Sequence, residues 1–376
     1  MQPVVLRLLR HAASIADDTL PRQPLQRGTK EFEWVSGAGL GPMLLRFCPN
    51  TCADALDTFR TQDLRARVEH ANRCSAAIEI IDVCDDLRVP LVLLKGISTS
   101  EQYYPSGHLR PMSDIDVLVP ADKYEIVEQT LIESGYLPHP NYVVDEHAQH
   151  GVPLFCARWN VWLELHTRLF ANTSPPAAGT VFDPPHVWAR TAPSTFEGRL
   201  VLRLADELQL IYLATGWVRD ISAGELHPSY LLPLFDATLL LHSVGRQLRW
   251  DVMLEWLDNE FASASLHLLL SYQARHGLFD VPTKVLSELS GRQRLLGALE
   301  IRVIHHLLDH HLMRGTAITR LFQSWHIVAN LMAPGRRTVK VVLLPWRIAF
   351  PPGRQERYEL RYQISRIGRW WQRLGR

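Results

Sequence analysis

With 376 residues, 47% of them hydrophobic and 21% charged, the chain has the composition of a folded globular protein, with room for two domains or for one with additions. The formal net charge of +1 hides an asymmetry. Residues 336–376 hold 11 Lys and Arg against Glu356 and Glu359, which leaves the rest of the chain net acidic. The five cysteines Cys48, Cys52, Cys74, Cys84 and Cys156 contain no CxxC pair. Such a set speaks against a disulfide framework or a zinc ribbon and suits a reducing, cytoplasmic setting.

The opening stretch MQPVVLRLLRHAASIA is not read as a signal peptide, because Arg7 and Arg10 interrupt its apolar residues. No run of about 18 apolar residues follows, so no transmembrane segment is expected. In chain order, the first elements are helices over 2–16 and 53–88. In the second, Leu56, Phe59, Leu64, Val68, Ala71, Cys74, Ile78, Ile81 and Cys84 recur at helical intervals. The segment 21–41 reads as loop. Val89–Leu94 is a short apolar run ending at Lys95-Gly96, as a buried strand would, and Asp116–Val119 is another, closed by Pro120. A helix over Ala121–Ser134 follows, with Gly135 as its C-terminal cap. Leu154–Arg158 and Val161–His166, parted by Trp159-Asn160, suit a hairpin. Pro and Gly gather in 174–193, a linker or surface excursion. Amphipathic helices run from about Leu204 to Leu331, and a basic tail with interleaved aromatics ends the chain. The organisation read from these patterns is an N-terminal helical segment (1–88), a small mixed α/β core (89–195), a helical domain (196–335) and the tail (336–376).

The acidic pair Asp114 and Asp116 is the first chemical signal. Alternate residues of a strand share a face, so both carboxylates point one way while Ile115, Val117 and Val119 point into the core. At roughly 6–7 Å two such charges repel by about 2–3 kcal/mol at an effective dielectric near 20, a cost that a divalent cation between them relieves. Standing alone, a DxD reads as an exposed, solvated strand end.

Its surroundings narrow the choice. Leu94-Lys95-Gly96, then Gly107 to Val119 with the run Arg110-Pro111-Met112-Ser113-Asp114-Ile115-Asp116, resembles the uncharacterised bacterial nucleotidyltransferases of the DNA-polymerase-β superfamily. Leu163-Glu164-Leu165-His166 resembles the acidic-hydrophobic-His element that follows the DxD strand in the same branch. The specific likeness covers residues 93–119 and 161–168; a looser one extends through Asp206-Glu207 and Phe235-Asp236. Gly96 is followed by Ile97-Ser98 rather than directly by a second Gly or Ser, a departure in the phosphate loop.

The resemblance implies an α+β fold, a polymerase-β-like core with a mixed sheet and helices, joined to a helical C-terminal domain. It implies Mg²⁺ or Mn²⁺ held by Asp114, Asp116 and Glu164, with Glu164 sharing an ion or taking the acceptor's proton, and ATP or another NTP as co-substrate. Lys95, Gly96, Ser98, Arg110 and Ser113 are its candidates for holding nucleotide phosphates, Arg through its fork of donors. Each has a plain reading too: Lys95 and Arg110 as solvated cations, Ser98 and Ser113 as turn residues, His166 as a structural strand histidine. Association of similar sequences with bacterial biosynthetic gene clusters implies a small-molecule or peptide acceptor, and tailoring of a natural product. A core without a basic patch of its own disfavours a nucleic-acid primer.

Two rival functions remain: a catalytically degenerate adaptor that binds nucleotide, and an RNA-binding module using the basic tail. The tail is read first as a surface for docking on this chain or on a protein partner. His306 and His310 share a helical face at a metal-ligand spacing but lack a supporting acidic motif, and a packed or solvated helix accounts for them. No GxxxxGKS, GxGxxG or GxSxG sequence is present.

Overall fold

The computed structural model describes residues 3–14, 25–52, 55–142, 147–223, 227–315, 328, 331 and 332. The basic segment 336–376, with its reading as a docking surface, lies outside the described residues.

The architecture is α+β. Helices α1 (Val4–Ala12), α2 (Lys30–Gly37), α3 (Gly41–Phe47) and the long α4 (Leu56–Asp86) precede the sheet. The segment 21–41 therefore contains a helix where loop was expected. Thr29 is the reason: its hydroxyl accepts from the Phe32 N–H, and Glu31 and Glu33 complement the positive end of the helix dipole. In α4, Ala76, Ala77, Ile80, Ile81 and Cys84 are buried, but Leu64 is 66% and Val68 62% exposed. The apolar repeat runs the length of the helix, whereas the sheet lies under its second half.

A seven-stranded mixed sheet has the order β3-β4-β5-β2-β1-β7-β6. Its strands are β1 (Val92–Leu93), β2 (Asp114–Leu118), β3 (Leu137–Pro138), β4 (Leu154–Cys156), β5 (Val161–His166), β6 (Thr191–Phe196) and β7 (Arg199–Leu204). Helix α5 (Lys95–Tyr103) joins β1 to the approach of β2. Helix α6 (Tyr124–Glu133) follows β2, and Gly135 turns the chain at φ 98°. The β4–β5 hairpin forms as its sequence suggests, although the turn is wider than two residues, with Asn160 at φ 53°. After the short helix α7 (Pro184–Ala189), the segment read as a linker enters a second hairpin. Glu197 and Gly198, at φ 46° and 79°, form its turn, the positive-φ pair that matches the twist of paired strands. Because β7 pairs in parallel with β1, the sheet continues to Leu204, past residue 195.

The rest is helical: α8 (Asp206–Ala223), α9 (Leu232–Val244), α10 (Trp250–Trp256), α11 (Glu260–Arg275), α12 (Thr283–Arg292) and α13 (Ala298–Leu307), ending in a π-turn over Leu308–Leu312. Two cores result. One face of the sheet, with Ile115, Val117, Leu163 and Leu165, packs against α4 and α6. The other core joins the first three helices to α8–α13 and takes Val92, Leu118 and Leu204 from the sheet. No helix among the described residues is long and apolar enough to cross a membrane.

Candidate active site

Strand alternation sets the site. Ile115 and Val117 fill the core beneath α4, so Asp114 and Asp116 face the helical half of the molecule. β2 and β5 run in parallel with Asp116 opposite Glu164, Asp114 opposite Trp162 and Leu118 opposite His166. One carboxylate oxygen each from Asp116 and Glu164 and one ring nitrogen of His166 lie within 4.8 Å of one another. A single cation at about 2.0–2.6 Å from each donor spans such a group, and the mainly oxygen donors suit a hard ion. Asp114 stands outside that trio but shares a cleft with Asp116.

The charges are not distributed as a simple repelling pair. Lys95 Nζ lies 2.5 Å and His166 Nε2 2.8 Å from Asp116 Oδ1. Burial works against an ionised Asp116, but Lys95 and His166 outweigh it and hold the carboxyl well below the usual range. Burial also opposes the charge on Glu164, and the hydrogen bond from His166 again prevails, lowering its pKa. Asp114 has weaker support, from the charge of Lys95 and a hydrogen bond from Ser113. Burial, then the charge of Asp116, push its carboxyl up to about 6. The repulsion expected of the DxD pair therefore falls on Asp114 alone. His166, read as a structural strand histidine, is fully buried at the centre of the acidic group.

Lys95 opens α5 at φ 42°, a left-handed conformation that is strained for lysine and costs on the order of 1 kcal/mol or more. A backbone hydrogen bond next to it holds the turn: the Leu94 N–H donates to the Asp116 carbonyl at 3.0 Å, tying the entry of α5 to β2. Gly96 must be small, since a Cβ there would stand 2.8 Å from Arg110 Nη1 and 3.0 Å from Met112 Cβ. Arg110 is not a free surface cation. It grips buried Asp236 on α9 through Nε at 3.1 Å and Nη2 at 2.8 Å, and the Tyr104 hydroxyl donates to the same carboxylate at 2.7 Å.

Lys95, Gly96, Arg110, Asp114 and Asp116 line one side of a cleft of about 220 Å³. The helical half supplies the other side, including Tyr212, Trp217, Arg219, Asp220, Tyr230 and Asp236. Ser98 is not on this surface: it is fully buried, its hydroxyl accepts from Gln102 Nε2 and its carbonyl from Arg203 Nη1. Ser113 is exposed at the start of β2 and hydrogen-bonds Asp114. Of the cleft residues on the helical side, sequence reasoning singled out only Asp236, through the looser resemblance. Tyr212, Trp217 and Arg219 sit in an ordinary amphipathic helix, which carries no local signal. His306 and His310 stack with ring centroids 4.2 Å apart. Asp206 and Glu207 are engaged elsewhere, by Tyr103 and Arg249.

Paired aspartates on one strand, a glutamate beside them on its parallel neighbour and a lysine-glycine helix start agree with the nucleotidyltransferase resemblance of the sequence. The chain belongs to the family described as uncharacterised nucleotidyltransferase, whose model matches residues 46–277, from the end of α3 to the end of α11. No curated protein sequence matches it. Among solved structures it is similar to the antibiotic-resistance factor ANT(2'')-Ia, determined in solution. That match is 12% identical, covers 55% of this chain and 94% of the other, and has a TM-score of 0.35.

Proposed function

We propose that the chain transfers a nucleoside monophosphate, AMP from ATP in the first instance, to a hydroxyl or amine of a small-molecule or peptide acceptor. The observation that carries this reading is the register of β2 against β5, which sets Glu164 beside Asp116 on the cleft side of the sheet. The acceptor oxygen or nitrogen attacks the α-phosphorus in line, the bond to the bridging oxygen breaks, and pyrophosphate leaves with that electron pair.

Asp114, Asp116 and Glu164 would hold Mg²⁺ or Mn²⁺, with His166 fixing the Asp116 carboxylate. Such an ion supplies charge neutralisation for the triphosphate and lowers the pKa of the acceptor group. Glu164 takes the acceptor's proton. Lys95 and Arg110 hold phosphate oxygens at the mouth of α5, where Gly96 leaves room for the Arg110 guanidinium. Ser113 orients Asp114, and Ser98 supports the first turn of α5 from within. The aromatic wall of Tyr212, Trp217 and Tyr230 receives the flat part of the nucleotide or acceptor. Acceptors of this kind fit a role in tailoring a natural product.

The test is incubation of the purified chain with each NTP, Mg²⁺ or Mn²⁺, and pools of small molecules and peptides. Pyrophosphate release with a matching mass gain on one acceptor is expected. Nucleotide binding without pyrophosphate release in any pool would leave the adaptor reading in its place.

A further inference from the structure

Away from the acidic cleft, α4 and α5 bring together a second group of ligand-bearing side chains. His70 and Cys74 are four residues apart on α4 and so share one face. Glu101 meets them from α5. His70 Nε2 lies 3.0 Å from Glu101 Oε1 and 3.4 Å from Cys74 Sγ, and the donor atoms of all three fall within 4.8 Å of one another. Tetrahedral zinc with bonds of about 2.0–2.3 Å requires donor separations of roughly 3.3–3.8 Å, so small side-chain movements close the cluster on an ion.

We infer that His70, Cys74 and Glu101 form a binding site for Zn²⁺ or a similar borderline transition metal, separate from the hard-ion site of the cleft. The donor set selects the metal: a thiolate and an imidazole favour Zn²⁺ and exclude Mg²⁺ as a resident ion. Gly107 keeps the space open, because a Cβ there would collide with both Glu101 Oε1 and His70 Nε2. His70 and Glu101 are partly exposed, which gives the ion an entry path and leaves a fourth position for water.

In the metal-free chain burial pushes the Cys74 thiol up to about 12, with Glu101 and Glu197 adding to the effect. The thiol is then protonated, and binding exchanges its proton for the metal. The ion ties α5 to α4 about 9 Å along the helix axis from Lys95, so its role is to brace the helix that opens onto the cleft.

The experiment titrates metal-free full-length protein with Co²⁺. A thiolate-to-cobalt absorption band in the near ultraviolet should saturate at one equivalent, disappear on addition of Zn²⁺, and withstand excess Mg²⁺. It should be lost in Cys74→Ser and kept in Asp116→Asn. No band in the unmodified protein, or an unchanged band in Cys74→Ser, overturns the assignment. If Cys74→Ser does not fold, Glu101→Gln decides: affinity for Co²⁺ at least about tenfold weaker supports the site, and equal affinity overturns it.

Discussion

Asp116 on β2 and Glu164 on β5 are direct partners across a parallel strand pair, and His166 Nε2 bridges them at 2.8 Å and 3.4 Å. Two acids held together by one imidazole are poised to share a further positive charge. Glu164→Gln and Asp116→Asn should each lower turnover by about a hundredfold or more, beyond the loss typical of a residue that only supports a ligand. Pyrophosphate release measures the effect, and near-ultraviolet circular dichroism checks the fold of Glu164→Gln. Full activity in either variant would remove that residue from the mechanism.

The same electrostatics predict opposite stability effects for the two aspartates in the absence of metal. Burial and the neighbouring carboxylates outweigh what Lys95 and Ser113 give Asp114, so Asp114→Asn should raise unfolding free energy at pH 7.5 by roughly 1–2 kcal/mol. Asp116→Asn strips Lys95 and His166 of their buried partner and should lower it by about 3 kcal/mol. Urea unfolding in the presence of a chelator separates the two. In the unmodified protein, Mn²⁺ or Mg²⁺ at a hundred times its dissociation constant should add about 2.7 kcal/mol, a gain absent from Asp116→Asn.

Arg110 and Asp236 are a buried pair whose removal is asymmetric. Asp236→Ala leaves a desolvated guanidinium and should cost roughly 3–5 kcal/mol, measured by urea unfolding. Gly96→Ala acts through the same arginine, because the new methyl displaces Arg110 from the cleft wall. Its nucleotide affinity should fall about tenfold, a cost near 1.4 kcal/mol, with a smaller loss of stability. Titration calorimetry with a non-hydrolysable NTP would detect it; unchanged affinity would separate Arg110 from the phosphates.

His305 gives the helical half a pH dependence. Burial lowers its pKa from 6.5 to about 4, with Arg275 and His276 adding to that and Asp309 and the Leu268 carbonyl opposing it. Between those values the unfolded chain binds a proton that the folded chain does not, so stability falls as pH drops from about 6.5 towards 4. The full effect is roughly 3 kcal/mol. Urea unfolding at pH 7.5 and 4.5 should show a steeper loss for the unmodified protein than for His305→Leu. Equal slopes would mean that His305 is protonated in the folded state.

The local period of the chain determined much of this protein by itself. Alternation in Asp114–Val119 settled which side chains enter the core and which remain for chemistry, and the β4–β5 hairpin and Gly135 cap were legible because they depend on near neighbours. Tertiary structure alone decided the rest. That β5 lies parallel to β2, with Glu164 rather than Trp162 opposite Asp116, follows from sheet order, which no residue-to-residue period encodes. Arg110 read as a phosphate ligand or a solvated cation until α9 presented Asp236, and Ser98 as a phosphate ligand or a turn residue until the first turn of α5 buried its hydroxyl. Leu64 and Val68 fit a core stripe yet face solvent, because the sheet does not extend beneath them. Periodicity specifies a face, while its partner is chosen by contacts between segments far apart in the chain, and both the site's charge balance and the wall opposite Asp116 belong to that second kind of information.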